Sequence, residues 1–232
     1  MIPLRDNIPS QRAPIVTVGI IIVNVLVFLN QLTLPPRAAA RFVYAYGLIP
    51  LEISSGDLLV SHPVPIYATI LTSMFVHGGL FHIAGNMLYL WIFGDNVEDR
   101  MGRRRFVIFY LLSGLAAAAA QILSNPFSRV PMVGASGAIS GVLGAYLLLF
   151  PHARVVTLIF FGWFIRLVEI PALVVLGFWI VVQVLNGLLT LGVQAGGVAW
   201  FAHIGGFVAG LVMVIPLRRR YAQSDWRERG WS

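Results

Sequence analysis

The sequence predicts an all-α membrane protein, a bundle of six transmembrane helices. Three observations carry this expectation. The 232 residues are 58% hydrophobic and only 11% charged, with a mean hydropathy of +0.84, whereas a soluble domain carries roughly 25% charged residues. The apolar residues gather into runs long enough for membrane spans. The charged residues sit between those runs and alternate in density from one gap to the next.

The spans follow in order. The first covers Pro14–Leu34. The second covers Leu80–Phe93; it is short, but the preceding PIYATILTSMFVHGG is apolar enough to dip into the membrane. The third covers Phe106–Leu123, the fourth Gly134–Phe150, the fifth Pro171–Leu191 and the sixth Trp200–Leu217. No internal repeat or inverted pair of halves is visible, unlike many transporters.

All sixteen basic residues are Arg. With a cytoplasmic N-terminus, Arg5, Arg12, Arg100, Arg103, Arg104, Arg105, Arg154, Arg166 and the five arginines after Leu217 fall inside. Arg37, Arg41 and Arg129 fall outside. This asymmetry orients the protein with both termini in the cytoplasm. It also explains the net charge of +7 without nucleic acid. The segment from Pro35 to Gly79 becomes a long outer loop lying partly on or in the outer leaflet. The N-terminal MIPLRDNIPSQR is polar and the run behind it long enough to stay as a span, so no cleavable signal is expected. With no cysteine, disulfides, thiol catalysis and Cys-ligated metals are excluded.

Polar and ionisable groups inside a membrane are costly, which makes them functional candidates. Ser136, in GASGAIS, is a potential nucleophile, and His203, in AHIGG, a potential base. In this topology spans 2, 4 and 6 run from outside to inside. His82, Asn86, Ser136 and His203 then all lie near the starts of their spans, at similar depth in the outer leaflet. Gly137, Gly141 and Gly144 share one face of span 4, bordered by Ser136 and Ser140; Gly206 and Gly210 follow His203 at i+3 and i+7. If these stripes meet, His203 comes next to Ser136; alternatively the glycines only pack helices. His82 and Asn86 share a face of span 2. With the Ser136 amide in a first helical turn, they can converge on an oxyanion, or Asn86 can serve as an interhelical hydrogen bond. No carboxylate lies at this depth, so the arrangement is a Ser–His dyad without an acid. HExxH and an aspartate pair are both missing, which disfavours zinc and aspartyl proteases. No cofactor or metal is expected.

HGGLFHIAGNM at 77–87, GASG at 134–137 and AHIGGFVAG at 202–210, with weaker EDRMG at 98–102 and YLLSG at 110–114, resemble the rhomboid family of intramembrane serine proteases. The resemblance runs along nearly the whole chain and implies a single rhomboid-type membrane domain over 1–232. It implies Ser136 as nucleophile and His203 as general base and acid. His82, Asn86 and the Ser136 amide would form the oxyanion hole. His77 matches a position that lines or supports the site, and Gly134, Gly137, Ser140, Gly206 and Gly210 fall in the same motifs. The implied partners are the lipid bilayer and membrane-protein substrates with helix-destabilised spans. The site would open to the outer side of a prokaryotic cell membrane.

The chain departs from the family pattern in two places. Ala68 and Thr69 stand where some members carry a Trp-Arg pair. Ser140 stands where some carry an aromatic stacked on the catalytic histidine, so the imidazole must be held another way. The rival readings are a catalytically silent rhomboid-like binder of membrane clients and a small transporter.

Overall fold

A computed structural model of the chain describes residues 1–161, 164–191 and 197–217. The loop over 192–196 and the tail beyond Leu217, with its arginines, lie outside the described residues. The fold is mostly helical: α1 (Ile15–Thr33), α2 (Pro36–Tyr46), α3 (Pro50–Ser55), α4 (Thr69–Thr72), α5 (Leu80–Met101), α6 (Arg103–Ser124), α7 (Ser136–Leu149), α8 (Ala172–Leu189) and α9 (Trp200–Leu217). Among the described residues, α1, α6, α8 and α9 are long and apolar enough to cross a membrane. Their 18 to 22 residues span about 27–33 Å at 1.5 Å per residue, against a hydrocarbon core of about 30 Å. The other two expected spans fall short of that standard. α5 runs past the expected end at Phe93 and carries Asp95, Glu98, Asp99 and Arg100 in its last turns. α7 has only 14 residues, about 21 Å.

The bundle is inside-out relative to a soluble protein. On α1 the buried residues are Thr17, Asn24, Phe28 and Gln31, while Leu26 and Leu32 are exposed. On α8, Leu173, Phe178, Val181 and Leu188 face outward. Apolar side chains left outside on these helices suit a lipid solvent, and the protein is membrane-embedded.

α7 is the central helix. Every residue from Gly137 to Tyr146 is buried, as expected for a helix packed on all sides. α5, α6 and α9 surround it. Phe93, Phe106, Phe109, Tyr110 and Tyr146 are among the aromatic residues of the core.

The all-α expectation needs one amendment. β1 (Ile2–Asp6), β2 (Arg154–Phe161) and β3 (Phe164–Pro171) form a three-stranded antiparallel sheet in that order. The segment between spans 4 and 5, read from sequence as a loop, is a hairpin. Its cause is local: RVVTLIFF and FIRLVEIP are rich in β-branched and aromatic residues. Val155 and Thr157, two apart on β2, turn inward.

Polar contacts tie this end of the bundle together. Glu98 accepts hydrogen bonds from the Val16 N–H (3.1 Å), the Thr17 N–H (2.8 Å) and the Thr17 hydroxyl (2.9 Å). A carboxylate from α5 thus satisfies the free donors of the first turn of α1. Between α5 and α6 the chain reverses at Gly102, whose φ of 82° suits glycine.

The segment between α1 and α5 is folded rather than slack. Glu52 of α3 accepts from Leu59 N–H (2.6 Å) and meets His62 Nε2 (2.8 Å), while His62 Nδ1 meets the Ala45 carbonyl (2.8 Å). Leu48 and Met132 exchange backbone hydrogen bonds. The Gly134 N–H donates to the Ser73 carbonyl (2.8 Å). The segment between α1 and α5 therefore braces the strand-like approach to α7.

Candidate active site

Ser136 is the first residue of α7, and His203 lies in the first turn of α9. Small residues let these helices meet at backbone distance. Side chains added at Gly206 and Gly210 would collide with the carbonyls of Gly137 and Gly141, and one at Gly144 with the Phe207 carbonyl. Close approach through glycine is the usual packing device of membrane helices. It brings His203 Nε2 to 2.8 Å from Ser136 Oγ.

The opposite ring nitrogen is also engaged. His203 Nδ1 lies 2.8 Å from Gln183 Oε1 on α8. One turn before Gln183, the Trp179 ring lies 5.7 Å from the imidazole, and the Trp200 ring meets it edge-on at 6.4 Å. Ser140 is turned away from the imidazole: its hydroxyl donates to the Ser136 carbonyl at 2.6 Å. The imidazole is thus held from α8 rather than from the position four residues after Ser136.

α5 supplies the facing wall. Gly134 has φ 116°, and a Cβ there would stand 2.6 Å from His82 Nε2 and 3.4 Å from Asn86 Nδ2. Both side chains therefore press on the turn that leads into Ser136, and only glycine fits that turn. The Gly78 N–H approaches His82 Nδ1 at 3.4 Å. With Nδ1 accepting, the His82 proton sits on Nε2, on the side facing Gly134. Asn86 Nδ2 donates to His77 Nε2 at 3.0 Å, which leaves its second N–H free for another acceptor.

His77 is buried and fixed through its backbone. Gln31 of α1 donates to the His77 carbonyl (2.9 Å) and accepts from its N–H (3.1 Å). Gln121 of α6 meets the Ala202 N–H at 3.3 Å and so caps the start of α9 beside His203.

The structure thus brings together Ser136 and His203, places His82 and Asn86 against Gly134, and sets His77 behind them. Gly137, Gly206 and Gly210 form the α7–α9 contact. The sequence reading passed over Gln31, Trp179 and Gln183. A signal was present for both glutamines: each is an uncharged polar residue inside a long apolar run. Among the described residues, no three His, Cys, Asp or Glu side chains are grouped as a metal site requires.

The arrangement offers a hydroxyl beside a base, with free N–H donors on the far side. It has the parts for acyl transfer.

Comparison with known proteins points the same way. The Rhomboid domain profile matches residues 66–220, a range that holds every site residue named here except Gln31. RHOMBOID-like protein 1 of Arabidopsis thaliana is 33% identical over 159 residues, 67% of this chain and 36% of that protein. Rhomboid protein 1, mitochondrial, of Saccharomyces cerevisiae is 29% identical over 178 residues, 74% of this chain and 45% of that protein. Rhomboid protease GluP of Bacillus subtilis is 34% identical over 148 residues, 64% of this chain and 25% of that protein. The chain matches less than half the length of each of these relatives.

Proposed function

Because the chain belongs to the rhomboid family, whose members are generally intramembrane serine proteases, we propose that it is itself an active serine endopeptidase. In this reading it hydrolyses peptide bonds in or near the transmembrane segments of membrane-protein substrates. The observation that carries the proposal is the 2.8 Å contact between His203 Nε2 and Ser136 Oγ.

The chemistry follows from the geometry. Ser136 Oγ attacks the scissile carbonyl carbon while His203 Nε2 takes its proton. The negative charge gathers on the former carbonyl oxygen. The Ser136 N–H has no intrahelical acceptor because it opens α7, and it points at that oxygen with the helix dipole behind it. The Nε2–H of His82 and the second N–H of Asn86 complete the oxyanion hole. Gly134 keeps these donors close by having no side chain between them and the turn. His203 then passes its proton to the departing amine. Water, activated by the same imidazole, hydrolyses the acyl-serine ester and frees the second product. No cofactor enters these steps.

The proposal extends to topology. α5 and α7 join the four long helices as membrane segments, giving a six-helix rhomboid-type bundle in one domain over 1–232. Both termini are cytoplasmic, and the site opens to the outer side. The short α7 supports this: at about 21 Å it cannot fill the hydrocarbon core, so Ser136 starts below the surface, beneath the outer segment. A prokaryotic cell membrane remains our proposed setting, although the relatives named include plant and mitochondrial proteins. Reporters at residue 1 and at Ser128 are expected on opposite sides; the same side for both overturns the topology.

The deciding experiment is covalent. The purified protein in detergent or liposomes is treated with a fluorophosphonate, which traps a nucleophilic serine as its phosphonyl ester. Labelling at Ser136 is expected, lost in Ser136→Ala and strongly reduced in His203→Ala, with parallel loss of cleavage of a single-span test protein. Folded wild-type protein that neither labels nor cleaves, yet still binds the test protein, would favour the silent binder.

A further inference from the structure

Gln183 sits on the far side of the imidazole from Ser136. Its side chain is buried, with 5% exposure. Its two polar atoms are committed in opposite directions: Nε2 donates to the Trp179 carbonyl at 3.1 Å, and Oε1 faces His203 Nδ1 at 2.8 Å. The amide cannot be turned over. Reversal would set Oε1 against the Trp179 carbonyl, two acceptors in contact. An oxygen facing Nδ1 in turn requires a proton on Nδ1. In the neutral ring the lone pair then belongs to Nε2, the nitrogen 2.8 Å from Ser136 Oγ.

We propose that Gln183 is a positioning residue, whose side-chain carbonyl holds His203 in the one tautomer that can accept the Ser136 proton. The proposal rests on the protease reading given above. It replaces the acidic third member of soluble serine hydrolases with a neutral amide. In the reverse tautomer the Nε2 proton would face the serine, and no base would be present.

The physical setting favours an amide over an acid. A carboxylate at this depth would carry a desolvation penalty in the resting enzyme. The amide carbonyl carries no charge, yet it gains strength when needed. Once His203 accepts the Ser136 proton, the Nδ1–H···O bond becomes charge-assisted and roughly twice as strong as a neutral one. That gain exists only while the imidazolium exists, so its loss falls on turnover rather than on substrate binding. Trp179, one turn earlier on the same face of α8, keeps the ring from swinging out of line. This pair from α8 stands in for the aromatic absent at Ser140.

The test uses the full chain in liposomes with three readouts: the rate of fluorophosphonate labelling at Ser136, kcat and KM on a single-span test protein, and ¹⁵N spectra of histidine-labelled protein, in which His203→Ala assigns the signal among five histidines. Gln183→Leu removes the acceptor at similar volume and is expected to lower labelling and kcat about 10- to 100-fold, with KM changed by no more than about twofold. Gln183→Glu, which keeps an acceptor, is expected to recover most of that loss. The wild-type spectrum is expected to show His203 protonated at Nδ1, and Gln183→Leu a mixture of tautomers. Wild-type rates in folded Gln183→Leu, or a wild-type His203 protonated at Nε2, overturn the proposal. Should Gln183→Leu fail to fold, the wild-type tautomer and the Gln183→Glu rates still decide. If wild-type protein neither labels nor cleaves, the protease reading falls, while the tautomer measurement still tests Gln183.

Discussion

Gly206 of α9 rests on the backbone carbonyl of Gly137 in α7, with no room between them for even one methyl group. Gly137 directly follows Ser136, and Gly206 lies about one turn after His203. The spacing of the two side chains is therefore set by the spacing of two backbones. Gly206→Ala must push the helices apart, because a carbonyl cannot swing aside as a side chain can. Overpacking of this kind costs about 1–3 kcal/mol of stability, and lengthening the Ser136–His203 contact is expected to reduce labelling by at least about tenfold. Gly19→Ala on α1, where a Cβ meets nothing within 4 Å, is the control and is expected to leave both unchanged. Equal labelling in Gly206→Ala and wild type would show that the helix contact does not set the pair.

The facing wall makes a graded prediction. Asn86→Ala removes one oxyanion donor and leaves His82 and the Ser136 amide, so turnover is expected to fall about 10²-fold or less. Gly134→Ala strikes twice: alanine is strained at a φ of 116°, and its methyl would stand 2.6 Å from His82 Nε2. It is expected to exceed Asn86→Ala in its effect on kcat. An Asn86→Ala protein with full activity reassigns Asn86 to holding His77.

Much of this site is legible in the sequence because the membrane makes polar residues conspicuous. Ser136, His203, His82 and Asn86 each interrupt an apolar run, and one orientation of the chain puts all four at one level. Gln183 interrupts a run in the same way, but its partner lies on another helix, and with no carboxylate at that depth the sequence reads as a dyad with no third group. A search for carboxylates passes over a neutral acceptor. The sheet is hidden for a different reason. Arg154, Arg166 and Glu169 mark its segment as a loop by charge, and only the β-branched and aromatic content of RVVTLIFF and FIRLVEIP speaks for strands. Its partner β1 is five residues long and comes from the far end of the chain. Long-range pairing of this kind leaves no local trace. The extra length of α5 is hidden by its charge: Asp95, Glu98, Asp99 and Arg100 lie beyond the apolar run, and Glu98 is engaged with α1, far away in sequence.

The sheet end also makes a pH prediction. Asp6 accepts hydrogen bonds from the Tyr146 hydroxyl (2.5 Å) and from Asn96 Nδ2 (2.9 Å), both on one carboxylate oxygen. Burial pushes its pKa up to about 6 against an ordinary 3.8; the Tyr146 bond opposes the rise, and the nearby Asp95 charge adds to it. A carboxyl that holds its proton longer when folded contributes most below its unfolded pKa. That contribution fades as the pH climbs from about 4 to about 6. The amide introduced by Asp6→Asn would still offer an oxygen to Tyr146 and Asn96, but it cannot ionise. Thermal melts in detergent are therefore expected to move in favour of Asp6→Asn across that interval and to keep a constant difference above it. A difference that stays flat from pH 4 to 7 would show that Asp6 titrates as an ordinary surface acid.

Substrate choice follows from the depth proposed for Ser136. A transmembrane helix hides its carbonyls in its own hydrogen bonds, and lipid offers no replacement partners. Ser136 can attack only a carbonyl that has left the helix. Cleavage is therefore expected near the outer end of a substrate span, after a small residue, beside Gly, Pro or polar residues that weaken the helix there. Replacing two such glycines by Leu favours the helix by roughly 0.7 kcal/mol each, so a rate governed by unwinding is expected to fall roughly tenfold. The comparison is made with one test protein in liposomes, its breakers intact or replaced, at equal expression and with Ser136→Ala as the blank. Equal cutting of both forms would place recognition outside the span, in the extramembrane sequence beside it, and would remove helix unwinding from the mechanism.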